Sequence, residues 1–201
     1  MIETQRLILR NYTMEDLADY WEYVSSPNVG PRCGWQPHTS IQQSRERLEY
    51  EIKRPLQFAI QLKESGKVIG SIEIMNPDKN TETDGFTKEL GAILHEGYWN
   101  GGIMTETIFA IIKYCMEYLH TDNVVAGFFE PNIGSGKMQQ KAGMEIVGRV
   151  KDYTTWYETG NPCDLILTKI TKESYLNNAK YKEVNIKVTE NKIQGEKNEG
   201  N

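Results

Sequence analysis

The chain has 201 residues and a formal net charge of −5 at pH 7. That length fits one domain with a full core, or a domain followed by a tail, and the acidic balance argues against a general nucleic-acid binder. No stretch approaches the roughly 18 apolar residues of a membrane span, and the charged first residues lack the apolar core of a secretory signal. The three cysteines are widely spaced and form no cluster with histidine, so we expect neither a disulfide framework nor a metal site. These features predict a cytoplasmic protein that binds neither nucleic acid nor membrane.

Hydrophobic periods and turn-forming residues predict a mixed α/β domain. In chain order we expect a strand at 6–11, helices at 13–24 and 40–53, strands at 58–62, 68–74 and 86–94, a helix from 103, a strand at 123–129, a helix at 133–142, and strands at 144–152 and 164–170. The helix after residue 102 has the clearest period, because Ile108, Ile111, Ile112 and Cys115 share one face. That face should pack against a sheet.

The chain changes character from about residue 171. Lys, Glu and Asn dominate there, and no period holds beyond Tyr175 and Leu176. We therefore expect one domain at 1–175 and a charged tail at 176–201, partly a frayed helix and otherwise disordered. Deleting the residues from Asn178 onward is then expected to spare activity.

A glycine-containing turn lies between a predicted strand and the long helix, at Asn100, Gly101 and Gly102. The first N–H groups of a helix have no internal partner, and the helix dipole adds partial positive charge there. Glycines also let a ligand approach the backbone closely. A Gly-Gly pair alone marks many tight turns, but its position between strand and helix favours a phosphate site.

Four motifs in order resemble the GNAT acetyltransferases. They are TQRLILRNYTMEDL near the start, ELGAILHEGYWNGGIMTE from Glu89, NVVAGFF from Asn123, and Asn132-x-x-Ser135 followed by Gly143-Met144. Within the family, the closest likeness is to the branch that contains the ribosomal-protein N-terminal acetyltransferases RimJ and RimL. The resemblance covers about residues 3–170. It implies the GNAT fold: a mixed, mostly antiparallel, strongly twisted sheet flanked by helices, with splayed central strands.

The resemblance implies acetyl-CoA as the cosubstrate and no metal. The strand before the turn would pair with the pantetheine arm, and backbone N–H groups of the turn would bind the pyrophosphate. Met104 is bulkier than the small residue that usually ends the family's R/Q-x-x-G-x-G/A loop. The implied cofactor-binding residues are Ile93, Leu94, Trp99, Asn100, Gly101, Gly102, Ile103, Met104, Thr105, Asn132 and Ser135.

The implied reaction is direct attack of an amine on the thioester, without a covalent enzyme intermediate. Ser135 would donate to the departing thiolate, although a serine in a first helical turn also suits capping. Glu89 is the predicted base, with an exposed strand-end carboxylate as the equally simple interpretation. Glu130, a histidine (His38, His95 or His120) or a chain of water molecules remain alternatives for the base.

Trp35 and Trp156 are the candidate walls of the acceptor pocket, although tryptophan is more often a core residue. The acceptor is expected to be a protein or peptide N-terminus or a small amine, and the chain a monomer or homodimer. The alternative function is a CoA-binding sensor or interaction module of the same fold that has lost transfer. A nucleotide-binding protein ranks lower, because the P-loop and dinucleotide-binding motifs are absent.

Overall fold

The computed structural model describes residues 1–189, which form a nine-stranded sheet flanked by helices. Its strands are β1 (Ile2–Glu3), β2 (Leu7–Arg10), β3 (Gln57–Leu62), β4 (Val68–Met75), β5 (Thr87–Leu94), β6 (Asn123–Phe129), β7 (Glu145–Thr155), β8 (Pro162–Thr171) and β9 (Lys187–Val188). The spatial order is β7-β8-β6-β5-β4-β3-β2-β1-β9. Every neighbouring pair is antiparallel except the central pair β5–β6, which is parallel. The predicted fold class is confirmed.

Helices cover both faces of the sheet. They are α1 (Leu17–Val24), α2 (Ile41–Glu51), α3 (Ile103–Glu117), α4 (Ile133–Lys141), α5 (Lys172–Asn177) and α6 (Lys180–Glu183). Adjacent residues of β3 belong to different apolar clusters, because Ile60 packs in the cluster of α3 and Ala59 in that of α1 and α2. Successive strand residues point to opposite faces, so the two clusters lie on opposite sides of the sheet. The predicted apolar face of α3 is confirmed, with Ile111 and Ile112 fully buried.

Residues 176–189, where the sequence predicts a frayed helix and a disordered tail, form the end of α5, the short helix α6 and the strand β9. Tyr181 in α6 is 2% exposed and donates its hydroxyl to the Ala142 carbonyl at 2.8 Å. β9 then pairs antiparallel with β1, which extends the sheet by two strands that the sequence patterns did not reveal. Low apolar content concealed this segment, because a few anchoring side chains and backbone pairing hold it. The part of the predicted tail at 190–201 lies outside the described residues.

Within residues 1–189, no helix is long and apolar enough to cross a membrane. The same residues contain no group of three His, Cys, Asp or Glu side chains placed to share a metal ion.

Candidate functional site

The central feature of the site is the separation of β5 from β6. Their parallel pairing ends at Leu90 and Ala126, halfway along β5. β5 continues to Leu94 beside β4, and β6 continues to Phe129 beside β8. A groove of about 550 Å³ lies along this gap. The splay expected for the central strands is therefore present.

One edge of β5 is free along the groove. The Ile93 carbonyl faces β4, since a Cβ added at Gly70, the β4 residue that pairs with Leu94, would lie 2.3 Å from it. Backbone groups alternate in direction along an antiparallel ladder, so those of Ala92 and Leu94 face the groove. Two contacts agree with this: the Trp99 indole N–H donates to the Leu94 carbonyl at 2.9 Å, and the Cys33 thiol lies 4.0 Å from the Ala92 carbonyl. Ile93 lines the groove without presenting its carbonyl there.

The groove leads to a helix N-terminus that has no side-chain cap. Asn100 and Gly102 have φ angles of 62° and 74°, which turn the chain sharply from β5 into α3. The first helical bond of α3 joins the Glu106 N–H to the Gly102 carbonyl at 3.0 Å. The N–H groups of residues 103–105 therefore have no intrahelical partner, and no side chain caps them. This is the arrangement that binds phosphate at other helix N-termini.

Arg6 stabilises the turn between β5 and α3 through two side-chain contacts. Its guanidinium donates to the Gly101 carbonyl at 3.0 Å and pairs with the Glu106 carboxylate at 2.6 Å. Burial opposes ionisation of Glu106, but hydrogen bonds from Thr4 and from the Arg6 backbone and side chain outweigh it and hold the pKa of this carboxyl below its usual value. The Glu106 carboxylate in the first turn of α3 is thus paired with a cation.

Asn132 and Ser135 lie at the start of α4 on the far wall of the groove. The Asn132 side chain accepts the Ser135 N–H at 3.3 Å and donates to the Arg32 carbonyl at 3.4 Å. Asn132 therefore caps α4 and joins it to the loop before α2. The Ser135 hydroxyl faces the groove and accepts a hydrogen bond from Gln139 at 3.1 Å.

The groove is cationic although the whole chain is acidic. Among the residues described, its charged lining consists of Arg32, Lys137 and Lys141, with no aspartate or glutamate. The net charge of the full chain is −5. Arg32 is already paired with the Glu158 carboxylate at 2.8 Å, so the positive charge of the lining comes mainly from Lys137 and Lys141. These two lysines, next to an uncapped helix N-terminus, suit a ligand that carries several negative charges.

A second cavity of about 290 Å³ opens on the other face of the splay. It shares residues with the groove, including Cys33, Gly127 and Ser135, so the two meet where the strands separate. Trp35, one of the two candidate acceptor walls, lines this second cavity. Trp156 does not line it: the ring is 3% exposed and packs on Phe129.

A sequence profile described as "Acetyltransferase (GNAT) domain" matches residues 6–145. The chain belongs to the GNAT acetyltransferase family. A curated relative, the uncharacterized N-acetyltransferase YoaA of Bacillus subtilis, is 25% identical over 177 residues, which cover 86% of this chain and 97% of YoaA.

Three solved structures share the fold. An acetyltransferase of the GNAT family from Bacillus anthracis is 20% identical, with a TM-score of 0.74 and coverage of 86% of this chain and 98% of that one. A chimera of the spermidine N-acetyltransferase SpeG from Vibrio cholerae with hSSAT is 16% identical, with a TM-score of 0.69 and coverage of 87% and 100%. The ribosomal-protein-S5-alanine acetyltransferase of Vibrio fischeri is 20% identical, with a TM-score of 0.66 and coverage of 85% and 96%.

In this acetyltransferase, the structure does not bring the predicted base Glu89 to the groove. Its carboxylate accepts hydrogen bonds from the Thr81 hydroxyl at 2.6 Å and the Asp78 N–H at 3.2 Å, in the loop before β5. Glu130 pairs with Arg149 at 2.8 Å on the outer surface of the sheet. Neither carboxylate lines either cavity.

The three histidines also lie outside both cavities. His95 accepts the Gly97 N–H at Nδ1, which leaves Nε2 to donate to Glu22 at 3.1 Å. Burial, assisted by the nearby Arg47 charge, lowers the pKa of His38 and favours its neutral form. None of the three histidines is therefore placed to exchange a proton with a molecule in either cavity.

The sequence patterns did not predict the titratable side chains that do line the second cavity. Glu51 is 5% exposed and pairs with Arg47 at 2.5 Å, and Glu73 pairs with Arg54. A glutamate in the otherwise apolar strand VIGSIEIM was a usable signal for Glu73. Burial raises the pKa of the Cys33 thiol to about 11, so that this cysteine is a poor nucleophile at neutral pH.

Proposed function

We propose that this acetyltransferase uses acetyl-CoA as its acetyl donor and holds it in the groove between β5 and β6. One observation carries the proposal: a groove with a free strand edge runs to an uncapped helix N-terminus and has three cations and no acid in its described lining. A free edge suits the amide-containing pantetheine arm, and the helix end with Lys137 and Lys141 suits its phosphates.

The residues of the chain would divide the work along the groove. Bound acetyl-CoA supplies an acetyl group activated as a thioester. The groove-facing N–H of Leu94 would hold the acetyl oxygen, and the Ser135 hydroxyl would donate to the sulfur. Asn132 would fix the start of α4 against the loop that carries Arg32. The candidates for the group that takes the proton from the amine are water and the ion-paired glutamates of the second cavity, Glu51 and Glu73.

We further propose that the acceptor is a peptide N-terminus, in line with the RimJ/RimL-like branch, rather than a polyamine. The second cavity contains two arginines and two glutamates, so it has no acidic excess to attract a polycation. Two residues that line it, Arg32 and Gln57, each have a buried side-chain atom without a hydrogen-bond partner within residues 1–189, the Arg32 Nε donor and the Gln57 Oε1 acceptor. A peptide start offers an ammonium donor and a carbonyl acceptor to match them.

Thermal unfolding with acetyl-CoA, and with ATP and NAD as controls, tests the donor. A ligand that binds only the folded state stabilises it by about 2.7 kcal/mol at a hundred times its dissociation constant. We expect a shift with acetyl-CoA alone, and a smaller one for the Lys137→Gln/Lys141→Gln double variant. Lys151→Gln, an exposed change on β7, is the matched control and should behave like the wild type. An equal shift with ATP would contradict the donor assignment.

Release of free CoA thiol with a panel of amines tests transfer. The panel should contain peptides with free and blocked N-termini, spermidine and simple primary amines. Turnover with free peptides above that with spermidine supports the peptide proposal, and the reverse order overturns it. Tight acetyl-CoA binding without turnover on any acceptor would favour the sensor or interaction module.

A further inference from the structure

Gln139 is a buried polar side chain with three hydrogen-bonding neighbours beside the groove. It lies in α4, one turn after Ser135, and is 3% exposed. Its amide nitrogen lies 3.3 Å from the Gly127 carbonyl and 3.1 Å from the Ser135 hydroxyl, and its amide oxygen lies 2.6 Å from the Thr168 hydroxyl. A glutamine this deeply buried needs such partners, since an unmade bond there is costly.

The neighbours fix which way the amide points. The Gly127 carbonyl can only accept, so the NH₂ end must face it. The oxygen end then faces Thr168, whose hydroxyl can donate. The second N–H of Gln139 is left for the Ser135 oxygen. With the amide reversed, two oxygens would meet at Gly127, which excludes that orientation.

We propose that Gln139 is a positioning residue that aims the Ser135 hydroxyl proton into the groove. Because Gln139 donates to the Ser135 oxygen, the serine cannot direct its own proton toward that amide nitrogen. In the part of the chain that the structure describes, the hydroxyl proton of Ser135 has no acceptor. It therefore remains free for a group bound in the groove.

The inference rests on the proposed function, in which that group is the sulfur of the leaving thiolate. As the amine nitrogen bonds to the acetyl carbon, the carbon–sulfur bond breaks and its electron pair stays on sulfur. The nitrogen loses a proton and the sulfur gains one, so the exchange balances without an oxidant or reductant. Ser135 donates a hydrogen bond to the sulfur during this exchange, and any proton that it passes to the sulfur is replaced by the one that the nitrogen releases. Gln139 keeps the serine proton directed toward the groove.

Substitutions that change the donor at residue 139 test the role. Gln139→Met keeps the size and removes the amide, whereas Gln139→Glu presents an acceptor when ionised and draws the serine proton away. We expect about tenfold slower turnover for either variant, the order of one lost hydrogen bond, with an unchanged KM for acetyl-CoA. Gln140→Glu, at the exposed neighbouring position, is the matched control and should keep wild-type turnover.

A double-mutant cycle with Ser135→Ala separates positioning from folding. Ser135→Ala alone should lower turnover by about 10- to 100-fold. If Gln139 acts through Ser135, Gln139→Met should slow the Ser135→Ala variant no further. Equal slowing in both backgrounds, or none in either, would overturn the proposal. Thermal unfolding of each variant identifies any that fail to fold, and Thr168→Val then supplies a second way to release the Gln139 amide.

Binding of free CoA gives a readout that does not depend on turnover. A hydroxyl that donates to sulfur favours the thiolate, so the affinity of CoA for the wild type should rise between about pH 7 and pH 9.5, across the ordinary thiol range. The rise should be absent with desulfo-CoA, and lost in Gln139→Glu and Ser135→Ala. A rise that persists in Gln139→Glu contradicts the positioning role. Absence of CoA binding at any pH would instead refute the proposed function, so the two failures are distinguishable.

Discussion

Gly102 shapes the turn between β5 and α3, where we propose that the phosphates bind. Its φ of 74° lies in the left-handed region, whereas an added Cβ would meet only the Arg6 guanidinium at an ordinary 3.5 Å. A substitution there is thus opposed by backbone strain rather than by a clash.

We therefore expect Gly102→Ala to lower the free energy of unfolding by about 1–2 kcal/mol and to weaken acetyl-CoA binding. Urea unfolding and ligand titration measure the two effects. Gly101→Ala, at a neighbouring position without a positive φ, is the comparison and should cost less stability. An unaltered affinity in Gly102→Ala would contradict the phosphate assignment.

The Glu106 carboxyl gives the turn a predictable pH response. Its pKa in the folded protein is below the ordinary value of 4.5, so its ionised form favours folding. This contribution is complete above the unfolded pKa and is lost as the pH falls through the folded one. Wild type should therefore lose more stability than Glu106→Gln between pH 5 and about pH 3. Parallel loss in both proteins, measured by urea unfolding, would assign the acid sensitivity elsewhere.

The segment from α5 to β9 shows what sequence periodicity misses. Val184, Ile186 and Val188 alternate with polar residues, which is a strand period, yet the surrounding Lys, Glu and Asn lowered the mean hydropathy. Tyr181 packs between Phe109 and Tyr175, with ring centroids at 5.0 and 4.6 Å. Two buried aromatics, Tyr175 and Tyr181, and backbone pairing to β1 hold this segment, and neither produces a long apolar pattern.

Substitution of Tyr181 tests this anchoring. Tyr181→Ala should lower the free energy of unfolding by about 3–5 kcal/mol, and Tyr181→Phe by about 1 kcal/mol for the lost bond to Ala142. Leu176→Ala, at a side chain that is 64% exposed, is the control and should change little. For the same reason, deletion from Asn178 onward is now expected to destabilise the fold. A deletion variant as stable as wild type would restore the expectation of an unstructured tail.

The helix α4 illustrates a site feature that local pattern reading could only half predict. The Asn132 cap and the position of Ser135 follow from the sequence motif. The role of Gly136 does not: a Cβ there would lie 2.7 Å from the Phe128 ring, so glycine lets α4 approach β6 closely. The contact with the Phe128 ring is known only once β6 and α4 are packed together. The same holds for the hydrogen-bond partners of Gln139.

For the molecule as a whole, the groove proposed for acetyl-CoA was predictable from the sequence, and the second cavity proposed for the acceptor was not. The groove depends on strand order, a glycine turn and a helix start, all of which leave local sequence signals. The second cavity instead depends on side chains from α2, β3 and β4, such as Glu51, Gln57 and Glu73, which converge only in the folded sheet. Trp156 shows the same limit, because its burial under the late hairpin depends on Phe129 and Tyr157.

The separation of β5 from β6 also has a consequence for amide hydrogen exchange. β5 is a central strand of nine, yet the N–H groups of Ala92 and Leu94 face open space as they would at the border of a sheet. We expect them to exchange with solvent deuterium much faster than the N–H groups of Gly91 and Ile93, which are paired to β4. Acetyl-CoA should slow the fast pair and leave the slow pair unchanged. Exchange read by NMR, residue by residue, would then show the ligand completing the sheet as its missing strand.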